Sequence, residues 1–196
     1  MPRPSDTKQR IQDVARELFA ERGVQRTSLQ EIANRLGISK PALYYHFSSR
    51  EELVRSIVQP LIDEEEEFLA GQEALDEVDP RALLEGYFDF HYRHRQDIVI
   101  MLRELTTLAD LGMIDLVLGW RNRLVKLLQG PEPTLEQATR AVIAFGGLQD
   151  CTIQFPDEPP DQLRRVAVDG ACATLGIGPT RRPRRSGAGR ATSKRG

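Results

Sequence analysis

Between Lys40 and His46 the chain gathers an ammonium group, two phenols and an imidazole, in the run Lys40-Pro41-Ala42-Leu43-Tyr44-Tyr45-His46. Such groups donate hydrogen bonds and offer flat apolar ring faces. On a helix laid in the ~12 Å major groove of duplex DNA they would meet base-edge acceptors and thymine methyls. Leu43 and Phe47, four residues apart, share the opposite side and would hold that helix to a body. Lys40, Ala42, Tyr44, Tyr45 and His46 are left to face outward or sideways.

The flanking residues position this segment. Ile11, Val14, Ala15, Leu18 and Phe19 form one apolar stripe of a first helix, with Asp6 expected as its cap and Gly23 as the left-handed residue past its end. Ser28-Leu29-Gln30-Glu31 is a capping box opening a second helix with the stripe Leu29, Ile32, Ala33 and Leu36. Gly37 closes that helix, and Ile38 offers the apolar contact that accompanies such a cap. Ser39 then starts a short third helix with Pro41 in its first turn. Ser48 and Ser49 stand before Glu51 and Glu52, so either serine could cap a fourth. Two helices joined by a tight turn at Gly37 read as a helix-turn-helix.

Phe19-Ala20-Glu21-Arg22-Gly23, Thr27-Ser28, Glu31-Ile32-Ala33, Leu36-Gly37-Ile38-Ser39 and Leu43-Tyr44-Tyr45-His46-Phe47, followed by Arg50 and Leu53, stand in an order and spacing that resembles the TetR (tetracycline-repressor-like) family of bacterial transcription regulators. Arg50 stands where that family usually has Lys, and Pro41 where it often has a small residue. The resemblance implies a homodimer whose third helices each enter one major groove of a palindromic operator. By position, Lys40, Pro41 and Tyr44 would approach base edges. Thr27, Ser39, Tyr45, His46 and Arg50 would meet phosphates, with Ser28 beside them at the interface.

Residues 51–178 stay helical in pattern: Leu53, Val54, Ile57, Leu61 and Ile62 lead into an acidic run at Glu64–Glu67. Further helices are expected from Asp79-Pro80 to about Arg95, over 97–109, over 112–129, from Thr134 to about Phe155, and over about Asp161–Leu175. No stretch alternates as strands do. The fold class is therefore all-α, an N-terminal helix-turn-helix domain (1–50) followed by a helical ligand-binding and dimerisation domain (51–178) and a basic tail (179–196) expected to be disordered.

Charge follows the same division. The whole chain carries a formal net charge of −2, but residues 1–50 hold nine Lys and Arg against five Asp and Glu, and residues 180–196 hold seven basic residues and no acidic one. The middle is strongly acidic. That asymmetry directs the two ends, Arg3 and the tail included, toward something anionic and the body away from it. The tail reads either as a solvated end or as an arm adding phosphate affinity.

Ala138, Ala141, Val142, Phe145, Gly146 and Leu148 make a small-residue stripe that allows close helix approach, with Ala167, Ala171 and Leu175 as its partner; both are expected at a dimer interface. A cavity for a small-molecule effector is expected among Tyr87, Phe88, His91, His94, Met101, Leu105, Met113, Trp120, Phe145 and Gln149. His91 and His94 have a spacing that could share a metal, but only Asp89, Asp97 or Glu104 could complete a set, so neither metal nor cofactor is expected. Arg93, Arg95 and Arg103 are expected on solvated faces. An all-α enzyme finds no activated nucleophile and no phosphate-cradling loop, and a ligand-independent DNA binder would differ by lacking a cavity. Two cysteines, Cys151 and Cys172, a polar start and no apolar run near the ~20 residues of a membrane span point to a cytoplasmic protein.

Overall fold

The computed structural model describes residues 4–103, 109 and 112–178. Arg3, Glu104, Leu105 and the basic tail lie outside them, as does the Arg103 side chain. The described residues form eight helices and no strand: α1 (Pro4–Arg22), α2 (Leu29–Leu36), α3 (Lys40–His46), α4 (Arg50–Glu73), α5 (Pro80–Arg103), α6 (Met113–Gln129), α7 (Leu135–Gln154) and α8 (Pro160–Thr174).

Local chemistry accounts for most of the boundaries. α1 begins two residues before Asp6, which therefore lies in its first turn instead of capping it. Gly23 ends that helix at φ 84°, in the left-handed region. Ser28 and Glu31 close the capping box of α2 reciprocally. At the other end of α2, Gly37 adopts φ 67° while its N–H donates to Asn34 O and that of Ile38 to Ala33 O, the paired bonds of a glycine C-cap. Ser39 caps α3 through Ala42 N. At α4 both serines act: Ser49 Oγ accepts from Glu52 N at 3.1 Å, and Ser48 donates through N and Oγ to the Glu52 carboxylate. Asp79 accepts from Arg81 N at 2.8 Å at the head of α5.

α5 is one helix where the sequence pattern predicts two. Neither Gln96 nor Asp97 breaks a helix, and the Asp97 carboxylate accepts from Arg16 on α1 instead of capping a new turn. α4 also runs unbroken, through Pro60. Proline has no N–H, so the carbonyl one turn back, on Ser56, loses its helical donor. Gln12 of α1 supplies one: its Nε2 donates to Ser56 O at 3.1 Å and to Ser56 Oγ at 3.0 Å.

Two cores result. The first joins Ile11, Phe19, Ile32, Leu43 and Phe47 to Leu53, Ile57 and Val58 of α4, and reaches Ile100 and Met113. The second gathers Leu69, Leu84, Phe88, Leu124, Phe145 and Val168 from α4 to α8. Ion pairs flank it: Arg81 with Asp169 at 2.6 Å and Arg164 with Asp89 at 2.7 Å clamp α5 to α8. Arg123 grips Glu66 and Glu73, each at 2.7 Å, tying α6 to α4. No helix among the described residues is long and apolar enough to cross a membrane.

Candidate nucleic-acid interface and candidate ligand cavity

α3 stands on a buried pair, Leu43 and Phe47, at 0% and 1% exposure. Its opposite side is open. Tyr45 is 83% exposed and Tyr44 44%, and Ser39, Lys40, Pro41 and Ala42 are exposed with them. Lys40 Nζ lies 5.5 Å from the centre of the Tyr44 ring, and His46, half-buried, meets the Tyr45 ring edge-on at 5.2 Å. The Tyr45 hydroxyl has no hydrogen-bond partner among the described residues, which leaves a donor and an apolar ring face open to a partner molecule. A shallow hollow brings Ser28, Gln30, Lys40, Tyr44, Ser48 and Arg50 together beside this face.

Two expected phosphate contacts are engaged elsewhere. Thr27 is buried, and its hydroxyl donates to Gly23 O at 2.9 Å, holding the α1–α2 turn. Arg50 donates to Val24 O, Gln25 O and Gln25 Oε1 at 3.3, 3.0 and 2.9 Å, so its guanidinium staples that same turn to the start of α4. Ser28 is exposed, with its hydroxyl and N–H both shared with Glu31. These bonds hold the Glu31 carboxyl below its ordinary range, the backbone N–H of Ser28 contributing most and its hydroxyl next.

A cavity of about 270 Å³ opens between α4, α5, α6 and α7. Of the residues expected there, Tyr87, His91, Met101, Met113, Trp120 and Gln149 line it. Phe88 and Phe145 are instead fully buried in the second core, and Leu105 lies outside the described residues. His94 turns outward, its Nε2 at 2.8 Å from Glu64, which also pairs with Arg93. Arg95 is engaged too, over the Tyr92 ring at 4.2 Å, so neither arginine is merely solvated. No group of three His, Cys, Asp or Glu among the described residues is placed to hold a metal ion.

Two charged wall residues, Glu65 and Arg121, were not expected from the sequence. The acidic run divides around α4. Glu64 pairs with Arg93 and His94, and Glu66 with Trp120 and Arg123, but Glu65 points inward at 7% exposure. Glu65 has no hydrogen bond or ion pair among the described residues, and burial pushes its carboxyl up to about 7. Arg121 donates to Gln149 Oε1 at 3.1 Å and lies 6.0 Å from the centre of the Tyr87 ring. His91 Nδ1 sits 3.0 Å from Tyr87 O, a carbonyl that can only accept, so Nδ1 carries the proton. Burial first, then the Arg121 charge, keep that imidazole neutral, down to about 3.

The expected dimer stripe separates into two sides. Ala141, Phe145, Leu148 and Ala171 are buried within the chain, while Ala138, Gly146, Ala167 and Leu175 are half-buried. Val142, Ile143 and Val166 are exposed, at 47%, 56% and 61%, beside the exposed Gly147 and Gly170.

Residues 11–57 match the family model described as bacterial regulatory proteins, tetR family. Over that stretch the chain is similar to the tetR family. The chain is similar to the HTH-type transcriptional repressor KstR2 of Mycolicibacterium smegmatis, 32% identical over 58% of this chain and 57% of that protein. It is also similar to the HTH-type transcriptional regulator TtgR of Pseudomonas putida, 36% identical over 38% of this chain and 36% of that one. The matches thus span between about a third and somewhat over half of those relatives' length. Among solved structures, the TetR family transcriptional regulator PfmR from Thermus thermophilus superposes with a TM-score of 0.65 at 28% identity, over 85% of this chain and 97% of that one.

Proposed function

We propose that the chain is a dimeric DNA-binding transcription regulator, a repressor released from a palindromic operator when a small molecule fills the cavity, and that it acts in the cytoplasm by binding and not by catalysis. The observation that carries this reading is α3: a short capped helix anchored by Leu43 and Phe47, with Tyr45 and its neighbours facing solvent. Lys40, Pro41 and Tyr44 would read base edges, while Ser39, Tyr45 and His46 would meet phosphates, with Ser28 at the margin. Thr27 and Arg50 set the turn behind them. KstR2, a similar protein, is itself a transcriptional repressor, in keeping with this reading.

The dimer would form through the outer side of α7 and α8, where Val142, Ile143 and Val166 are apolar and Gly147 and Gly170 let a second backbone approach. Release is then a coupling free energy. Two reading helices must sit ~34–36 Å apart to enter consecutive grooves, and a ligand that favours another spacing lowers operator affinity. The cavity favours this over a ligand-independent binder. Selection of bound fragments from random DNA tests the reading: an inverted repeat is expected, and no enrichment would overturn it.

A further inference from the structure

We propose that the cavity takes an elongated apolar molecule carrying one basic nitrogen, whose ammonium group docks on the Glu65 carboxylate. The inference rests on reading this cavity as the effector site. Its starting point is a group with nothing to bond to. Glu65 is nine-tenths buried, lines the cavity, and lacks a partner among the described residues. A carboxyl so placed costs stability that a leucine or methionine would not, and the cost is removed only when a donor arrives.

The surroundings favour a cation as that donor. With Nδ1–H of His91 given to Tyr87 O, the other ring nitrogen of this neutral imidazole is an acceptor on the same wall. Tyr87, Phe90 and Trp120 add aromatic rings, which attract cations through their faces. Arg121 gives one of its N–H groups to Gln149 Oε1 and lies near the Tyr87 ring, and its charge favours the ionised form of Glu65. A carboxylate ligand on Arg121 would leave Glu65 without a partner, whereas an ammonium group answers it. The rest of the wall, Leu61, Ile98, Met101, Val117 and Leu124 among it, is aliphatic and suits a hydrocarbon chain.

The titratable or charged groups that bear on Glu65 come from α4, α5 and α6. Tyr87 and His91 on α5 are held neutral by burial, Arg121 on α6 draws Glu65 toward its ionised form, and Glu66 on α4, itself kept ionised chiefly by Arg123, opposes that. Of Glu65, Tyr87, His91 and Glu66, only Glu65 changes state between pH 6 and 8. Its ionised fraction rises roughly tenfold over that interval, and affinity for a permanently charged amine should rise by the same factor.

The test is calorimetric titration of the full chain with decylamine, 1-decanol and decanoate, which share one chain and differ in head charge. Decylamine is expected to bind at least tenfold more tightly than the other two at pH 8, to weaken about tenfold at pH 6, and to release about one proton there, read from paired buffers of different ionisation heat. Glu65→Gln is expected to reduce the preference for decylamine below threefold. Should that variant not fold, proton release by the unaltered chain decides alone. Equal binding of decanol, tighter binding of decanoate, or no proton release would overturn the proposal while leaving the cavity as effector site. Failure of all three compounds to bind would remove both.

Discussion

Arg16 of α1 donates its Nε–H to Asp97 Oδ1 of α5 at 2.9 Å, with both side chains largely shielded from solvent. Asp97 adjoins Ile98 and lies one turn before Met101, and both of those line the cavity. The bond thus ties the cavity's wall helix to α1, whose other residues pack on the reading head.

Asp97→Asn and Arg16→Met, alone and together, should give a coupling of about 1 kcal/mol in thermal unfolding. Asp97→Asn should also retain operator affinity yet reduce by at least threefold the effect of a cavity ligand on it. Fluorescence anisotropy of labelled operator, with and without decylamine, reads both. Unchanged ligand response would place the transmission elsewhere.

Tyr45→Ala should lower affinity on every operator variant by a similar factor, because a phosphate contact carries no sequence information. Lys40→Ala and Tyr44→Ala should instead alter the preferred sequence. Tyr45 is 83% exposed, so its loss should move stability by less than about 0.5 kcal/mol. Gel-shift titrations on operator libraries separate the two patterns.

Glu65 makes stability fall as pH rises. Its folded carboxyl titrates at about 7 against an ordinary 4.5, so the folded chain holds a proton that the unfolded chain has released. The penalty is absent below pH 4.5, grows from there to 7, and is complete above it. Glu65→Gln should accordingly be more stable than the unaltered chain by about 1–3 kcal/mol at pH 8 and equal to it near pH 4. Buried His91 acts in the opposite sense, losing stability as pH falls below 6.5, but it is common to both proteins and cancels in the comparison. Urea denaturation at the two pH values measures the difference.

Val142→Arg and Val166→Asp, on the exposed side of α7 and α8, should yield a folded monomer in sedimentation experiments with operator affinity reduced at least tenfold. Ala141→Glu should unfold the chain, since that position has no exposed surface. A dimer surviving both outer substitutions would move the interface to another face.

The reading head was legible because its signals are local. Ser28 with Glu31, Gly37 with Ile38, and Ser39 before Pro41 each specify a helix end within four residues, and Leu43 with Phe47 specifies the buried side. Thr27 misled because a hydroxyl beside a helix start reads as a surface group, whereas the Gly23 carbonyl four residues back claims it. Glu65 was hidden by its neighbours. In a run of four glutamates none stands out, although Leu61, Glu65 and Leu69 share one helical stripe and the outer two are buried leucines. A charge at a core register was the available signal. Which face of α7 turns inward could not be read, because apolar residues occur on both; only the packing of α8 and α5 against it decides.

Pro60 leaves α4 one rung short at Ser56, and Gln12 lashes that residue to α1. A rod tied about a quarter of the way from its head end has two unequal arms. From Ser56 the arm toward Glu65 is roughly 14 Å and the arm toward Arg50 roughly 9 Å, at about 1.5 Å per residue. Tilting the long arm by a given amount swings the short one the opposite way by about two thirds as much, so the ratio of input to output travel is written into where one imino acid falls along the rod.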